Sequence, residues 1–302
     1  MGEMGSMALF DTAAGLLPLR LRTRTAALTG EEKARTEEIR LRVGQPLSLT
    51  TPEGEVPLWQ TEVTVEDLEQ VLDRATEFSR YTAARSMGQG YLTAPGGFRV
   101  GVCGRMVGEG QPGMEDISSL AIRIPRPCRG AAEGVLPELL ELGRPVSTLI
   151  LSPPGGGKTT LLRDLVRLFS EGTVLCPPMR VSLVDERGEL AAMYRGVARM
   201  DVGPRTDVLT GCPKALAVPI LLRAMGPQII ALDEVALSAD VEAVRLAAGC
   251  GAVLLATVHA PSVQDLMLRQ LGRQLLECGV FRRAVVISGR GKDRRCAVEE
   301  LI

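Results

Sequence analysis

Apolar and polar positions change their rhythm near residue 146. Before it, short alternating runs and isolated amphipathic stretches dominate. After it, apolar runs of strand length alternate with helical ones: "VSTLILS", "TTLLRDLVRLFS", "RVSLVDE", "ALAVPILLRAM", "QIIALDE", "DVEAVRLAAGC" and "AVLLATV". Strands apolar on both faces and separated by helices predict a parallel sheet covered on both sides.

In the first half, "GEEKARTEEIRLRVG" reads as a charged helix that passes into the extended segment "PLSLTTPEGEVPLWQ". Thr64 and Asp67 form a capping-box pattern ahead of Leu68, Val71, Leu72 and Ala75 on one helical face. "GYLTAPGGFRVGVCGRMVG" alternates on both sides of Pro95-Gly96-Gly97 and predicts a hairpin, and "LAIRIPRP" adds a strand. The punctuation of "CRGAAEGVLPELLELGRP" suggests a linker with a short helix. The expected organisation is a leader over 1–30, a small α+β domain over 31–128, a linker over 129–145 and an α/β domain over 146–302.

Composition narrows the class. At 302 residues and 45% hydrophobic, the chain is long enough for two packed cores, and its formal net charge of −1 gives no overall basic field for nucleic acid or an anionic membrane. Seven scattered cysteines without a C-x-x-C pair speak against a disulfide framework or a zinc site and for a reducing, cytoplasmic setting. The longest strongly apolar uncharged stretch, "LAAGCGAVLLATV", is too short to span a bilayer.

Candidate chemistry gathers in the second half. Ser152-Pro153-Pro154-Gly155-Gly156-Gly157-Lys158-Thr159-Thr160 reads as a phosphate-binding loop between strand and helix, with Ser152 where the usual pattern has its first glycine. Glycines let successive N–H groups close on phosphate oxygens, and a helix starting near Thr159 adds its positive end. Only four of the 35 basic residues are lysines, and one of them is Lys158, the compact charge such a loop asks for. Lys158 is expected on the β and γ phosphates of ATP and Thr159 on Mg²⁺. "QIIALDE" delivers Asp233, expected to hold Mg²⁺ through water, and Glu234, expected to polarise the attacking water. "VSLVDERGE" ends in Asp185-Glu186-Arg187, a second acidic strand end whose Asp185 and Glu186 are expected to supply a further catalytic carboxylate near the metal or water. His259, the single histidine, closes the strand after the Asp-Glu strand, where it could sense a γ-phosphate.

These signals, in this order, resemble the secretion ATPase branch of the P-loop superfamily. With "EEIRLRVGQPL", "GYLTAPGGFRVGVCGR", "AIRIPR", "LVDERGEL", "DVGPRTDVLTGCPKA" and "IIALDEV", the chain resembles the stage III sporulation protein AA family from about residue 36 to about 260. The resemblance implies a RecA-like P-loop ATPase domain behind a smaller α+β domain, working as a homo-oligomer, a hexameric ring in the usual case. It also implies MgATP hydrolysis on the mother-cell side of the forespore, recruited to the membrane by proteins of a secretion-like channel. An arginine completes charge neutralisation in such motors. Arg187 and Arg205 are the first candidates, and Arg99, Arg105 and Arg123 the others. Ser152, and Phe98 within "GGFRVG", depart from the family pattern. The alternative is a nucleic-acid-binding P-loop ATPase, against which stand the mild acidity and an aromatic content of 3%.

Overall fold

The computed structural model describes residues 2–79, 87–88, 90–108, 113–125, 129–289 and 293–301. Two compact units result. One is Met1–Pro127 with Ala192–Arg199, the other Cys128–Ala191 with Met200–Ile302.

The first unit runs α1 (Gly2–Ala14), α2 (Leu19–Ala26), α3 (Gly30–Arg35), β1 (Glu38–Arg42), β2 (Pro46–Thr51), β3 (Gly54–Glu62), α4 (Val65–Ala75), β4 (Tyr91–Ala94), β5 (Phe98–Val107) and β6 (Gly113–Arg123). Its strands form one sheet in the order β3-β2-β1-β6-β5-β4, every pair antiparallel. The residues of the expected leader 1–30 form α1, α2 and the start of α3, and bury Phe10, Leu17 and Leu21 in this unit's core. The expected charged helix is shorter than its pattern. Thr29 and Glu32 cap α3 reciprocally, but from Glu38 the chain is the strand β1. There Ile39 and Leu41 alternate into the core, which outweighs the weak pull of i,i+4 charge pairs. α4 has the expected cap, with the Thr64 hydroxyl accepting from Asp67 N–H and the Asp67 carboxylate from Thr64 N–H, and it buries Leu68, Val71, Leu72 and Ala75. The candidate arginines of this unit are engaged: Arg105 pairs with Glu115 and Asp116, Arg123 pairs with Glu38, and Arg99 stacks on the Tyr91 ring. Phe98 is wholly buried in this core. The pattern "TVEDLEQVLDRATEFSRYTAARS" reads as one helix, whereas α4 ends at Ala75, and residues 80–86 of that stretch lie outside the described residues.

The second unit opens with a 3₁₀ turn (Leu136–Leu139) and the short pair β7 (Leu140–Glu141) and β8 (Arg144–Pro145). This stretch is anchored, because Ala132 N–H donates to the buried Asp164 carboxylate at 2.9 Å. Then follow β9 (Thr148–Ser152), α5 (Lys158–Glu171), β10 (Val181–Asp185), β11 (Thr206–Thr210), α6 (Lys214–Met225), β12 (Ile229–Leu232), α7 (Ser238–Gly249), β13 (Val253–His259), α8 (Val263–Leu268), α9 (Gln270–Glu277), β14 (Arg283–Ser288) and β15 (Arg295–Glu300). The sheet order is β11-β10-β12-β13-β9-β14-β15, parallel throughout except for the terminal β14–β15 hairpin. β9, β10 and β12 are buried at every residue, as strands covered by helices on both faces must be. Parallel pairing brings the carboxyl ends of β9, β10, β12 and β13 to one edge, where ligand sites of such sheets form.

Candidate active site

The loop after β9 is built by glycine. Gly155 and Gly157 sit at φ +75° and +98°, and a side chain on Gly156 would collide with the Ser152 hydroxyl and lie 2.8 Å from its Cβ. That explains why Ser152 is tolerated. It is the last residue of β9, fully buried and paired in register with His259, so no left-handed backbone is asked of it. Its hydroxyl fills the space Gly156 leaves open and donates to the Pro153 carbonyl at 2.8 Å. Pro153, Pro154 and Gly155 are exposed along the rim of the loop. Gly157 starts α5, whose first N–H groups, those of Lys158, Thr159 and Thr160, have no carbonyl one turn behind them.

Lys158 lies folded into this loop. Its Nζ donates to the carbonyls of Ser152 at 3.0 Å and Pro153 at 3.3 Å, and stands 2.9 Å from His259 Nδ1. Burial pushes the lysine pKa below its ordinary value, while Asp233 and Glu234 oppose that shift. Burial and the neighbouring Lys158 charge likewise hold His259 below the usual histidine range, against the pull of Glu234 and Asp233. Nδ1 therefore acts as an acceptor, and the ring proton belongs on Nε2, 3.6 Å from Glu234 Oε1.

Asp233 and Glu234 follow β12 directly. Thr159 donates its hydroxyl proton to Asp233 Oδ2 at 3.3 Å, and Thr257 donates to Oδ1 at 2.7 Å. The same Thr257 oxygen accepts the N–H of Glu234 at 2.7 Å. This bond helps to hold Glu234 at φ +51°, a left-handed conformation that costs a non-glycine residue roughly 1–3 kcal/mol. The Glu234 carboxylate meets Arg187 Nη1 at 2.6 Å.

The acidic box divides its labour. Both oxygens of Asp185 accept backbone N–H groups, from Glu189, Leu190 and Ala191 at 2.9 to 3.1 Å. Arg163 supports the same turn by donating to the Glu189 and Leu190 carbonyls. This corrects the expectation of a catalytic Asp185: it is the anchor of the loop that presents its two neighbours, and burial, opposed by those N–H bonds, raises its pKa. Glu186 pairs with the buried Lys214 at 2.7 Å, and a cavity of about 200 Å³ opens between Glu186, Arg187, Lys214, Asp233, Glu234 and Asp240. Arg205 is not brought to this edge. It precedes β11 at the amino end of the sheet, where its N–H bonds the Ser170 hydroxyl and its Nη1 the Ser170 carbonyl.

The donor set fits a magnesium–polyphosphate group. The loop lacks side chains where phosphate oxygens would need backbone N–H groups, and one lysine is already folded against it. The Thr159 hydroxyl and the Asp233 carboxylate, hydrogen-bonded to each other, are a hydroxyl and a carboxylate of the kind that suits Mg²⁺ drawing its other ligands from water and phosphate. Thr257 and Lys214 escaped the sequence reading. Their signals were a lone polar residue two positions before His259 in an apolar strand, and one of only four lysines in the chain.

The family model for sporulation stage III, protein AA, matches residues 13–298. The chain is 36% identical over 277 residues to stage III sporulation protein AA of Bacillus subtilis strain 168, covering 91% of this chain and 90% of that one. The X-ray structure of the Legionella pneumophila ATPase DotB aligns with a TM-score of 0.63 at 16% identity, over 94% of this chain and 80% of that one. The pilus retraction motor PilT with bound ADP aligns with a TM-score of 0.60 at 16% identity, over 87% and 78% respectively. At such identities the likeness shows the fold, a P-loop domain of the secretion ATPase type behind an N-terminal β-rich domain.

Proposed function

This chain belongs to the sporulation stage III protein AA family, and on that premise we propose that it is an ATPase whose MgATP hydrolysis drives a secretion-like channel between mother cell and forespore. The observation that carries the enzymatic part is the junction of loop and strand end: Thr159 hydrogen-bonded to Asp233, with Glu234 next in the chain. The relatives support it, since DotB is an ATPase and PilT a motor seen with ADP.

When bound, MgATP would supply the terminal phosphoryl group that passes to water, leaving ADP and inorganic phosphate. Residues 152–160 hold the phosphates. Lys158 would exchange the loop carbonyls and His259 for the phosphate charge, and Thr159 and Asp233 would hold the metal. Glu234 accepts the proton of the attacking water, and the neutral His259 beside it offers Nε2–H to developing negative charge. Glu186 and Arg187 border the cavity beside this glutamate, with Arg187 the candidate finger toward a neighbouring subunit.

The chain acts as a homo-oligomeric, hexameric ring in the cytoplasm of the mother cell, drawn to the membrane by channel proteins. Among the described residues no helix is long and apolar enough to cross a membrane.

The test is phosphate release by the purified full chain with MgATP. Lys158→Ala should abolish nucleotide binding, and Glu234→Gln should keep binding while turnover falls at least about a hundredfold. Turnover that is absent in the wild type, or unchanged in both variants, defeats the proposal.

A further inference from the structure

β14 lies next to β9, so the carboxyl end of β14 and the beginning of β15 emerge beside the loop that β9 feeds. Gly289, the residue after β14, has φ +71°, and a side chain there would meet the Asp293 carbonyl. Arg294 follows, the last residue before β15. Its guanidinium lies on the α-carbon of Gly157, where an added Cβ would sit 2.9 Å from Nη1 and closer still to Cζ and Nη2.

Gly157 is thus required twice over, once by its left-handed backbone and once by the group that covers it. The cover is a charge. Some arginines of this unit meet carboxylates, as Arg167 does Asp164 and Glu171, Arg187 does Glu234, and Arg283, at the far end of the same hairpin, does Glu141 and Glu300, while others, such as Arg163 and Arg205, are held by backbone carbonyls. Arg294 forms no ion pair among the described residues, and it is exposed. A guanidinium with no carboxylate partner among the described residues, resting on a backbone of glycine at the residue before a buried lysine and over the positive end of α5, adds like charge to like. Such a concentration is costly without an anion and favourable with one.

We propose that Arg294 is a phosphate-contacting residue of the nucleotide site, supplied within the same chain by the C-terminal hairpin. This rests on the reading of residues 152–160 as an ATP-binding loop. Lys158 contributes a point charge; Arg294 contributes a planar fork that binds two phosphate oxygens at once. The hairpin is thereby a part of the binding site, and the charge it brings is present in a single subunit before any neighbour adds its own.

The experiment is calorimetric titration of the full chain with ADP and, separately, with adenosine, for wild type, Arg294→Ala, Arg294→Gln, Arg294→Lys and Lys158→Ala. Arg294→Ala and Arg294→Gln should each weaken ADP by about tenfold or more, the scale of one charge-assisted hydrogen bond. Arg294→Lys should fall between them and the wild type, and adenosine affinity should not follow the charge at this position. Thermal melts without nucleotide should not fall, since the side chain is exposed and its removal relieves the crowding of positive charge at the loop. The glutamine variant, which keeps an amide tip, guards against reading a hairpin defect in the alanine variant as lost affinity. Wild-type ADP affinity in both neutral variants, with Lys158→Ala unable to bind, overturns the role of Arg294 and leaves the ATPase reading standing. A wild type that binds no ADP overturns both.

Discussion

Lys158 Nζ stands 2.9 Å from His259 Nδ1, so the loop lysine and the chain's single histidine occupy one hydrogen bond, and only one of them can carry the charge at little cost. The lysine carries it. Burial and that ammonium hold His259 neutral at pH values where a free imidazole would titrate.

A pH dependence of stability follows. The folded-state pKa of His259 is lowered, so below the ordinary value of about 6.5 the unfolded chain takes up the proton more readily. The stability tied to the neutral ring is full above that value and is lost as pH falls below it, toward the folded-state pKa. In urea titrations at pH 7.5 and 5.5, His259→Gln should lose less stability on acidification than the wild type. Parallel losses would show that the ring carries no such linkage.

Thr257 holds both carboxylate residues with one buried hydroxyl. Thr257→Val keeps the shape and strips Asp233 of a donor and Glu234 N–H of its acceptor, and should cost about 1–3 kcal/mol. Turnover should fall more than ADP affinity, because the φ of Glu234 is released while the loop is untouched. Thr257→Ser should retain most of both. Denaturant midpoints and steady-state rates measured on the same preparations decide it.

The Lys214–Glu186 pair is lopsided, with the lysine side chain 6% exposed and the glutamate 40%. Glu186→Gln leaves an ammonium buried with no charge partner among the described residues, whereas Lys214→Met leaves a carboxylate that water can reach. The glutamine variant should therefore be the less stable of the two, by about 1 kcal/mol or more. Equal melting temperatures would count against this account.

Arg187 grips Glu234 at 2.6 Å, yet its side chain is 58% exposed. A contact so open to water is weak, about 1 kcal/mol at most, and falls with salt. Arg187→Ala should scarcely alter the melting temperature, and the difference should vanish near 1 M salt. Under the proposed mechanism, this is what a group that has to release Glu234 during turnover requires. A loss of several kcal/mol would mark it as structural instead.

The parallel sheet was legible because β9, β10, β12 and β13 are apolar at almost every position, a pattern few other arrangements leave. The strand ends before the loop and at Asp233–Glu234 were legible for a related reason: an apolar run that gives way to glycines or to carboxylates marks where a buried strand leaves the sheet. Asp185 was not legible. Its identity and place match a metal or water ligand, and only the return of N–H groups from Glu189 to Ala191 shows that its oxygens are consumed by its own loop. β1 was misjudged because "EEIRLR" spaces its charges as a helix does and is too short for its alternation to win without the neighbouring strands β2 and β6. Arg294 touches Gly157 from the last strand of the sheet, a proximity no local window contains.

Residues Ala192–Arg199 belong to the first unit, although the chain on either side of them belongs to the second. Arg195 pairs there with Glu77 at 2.7 Å, and a side chain on Gly97 would strike the Ala192 carbonyl. Chains made on ribosomes usually complete their domains in order, from the first residue onward. Here the amino-terminal unit waits for an eight-residue segment that is translated only after the phosphate loop and β10. A nascent chain halted before residue 192 carries that unit unfinished, and a gene fragment ending at Pro127 encodes a domain with a piece missing.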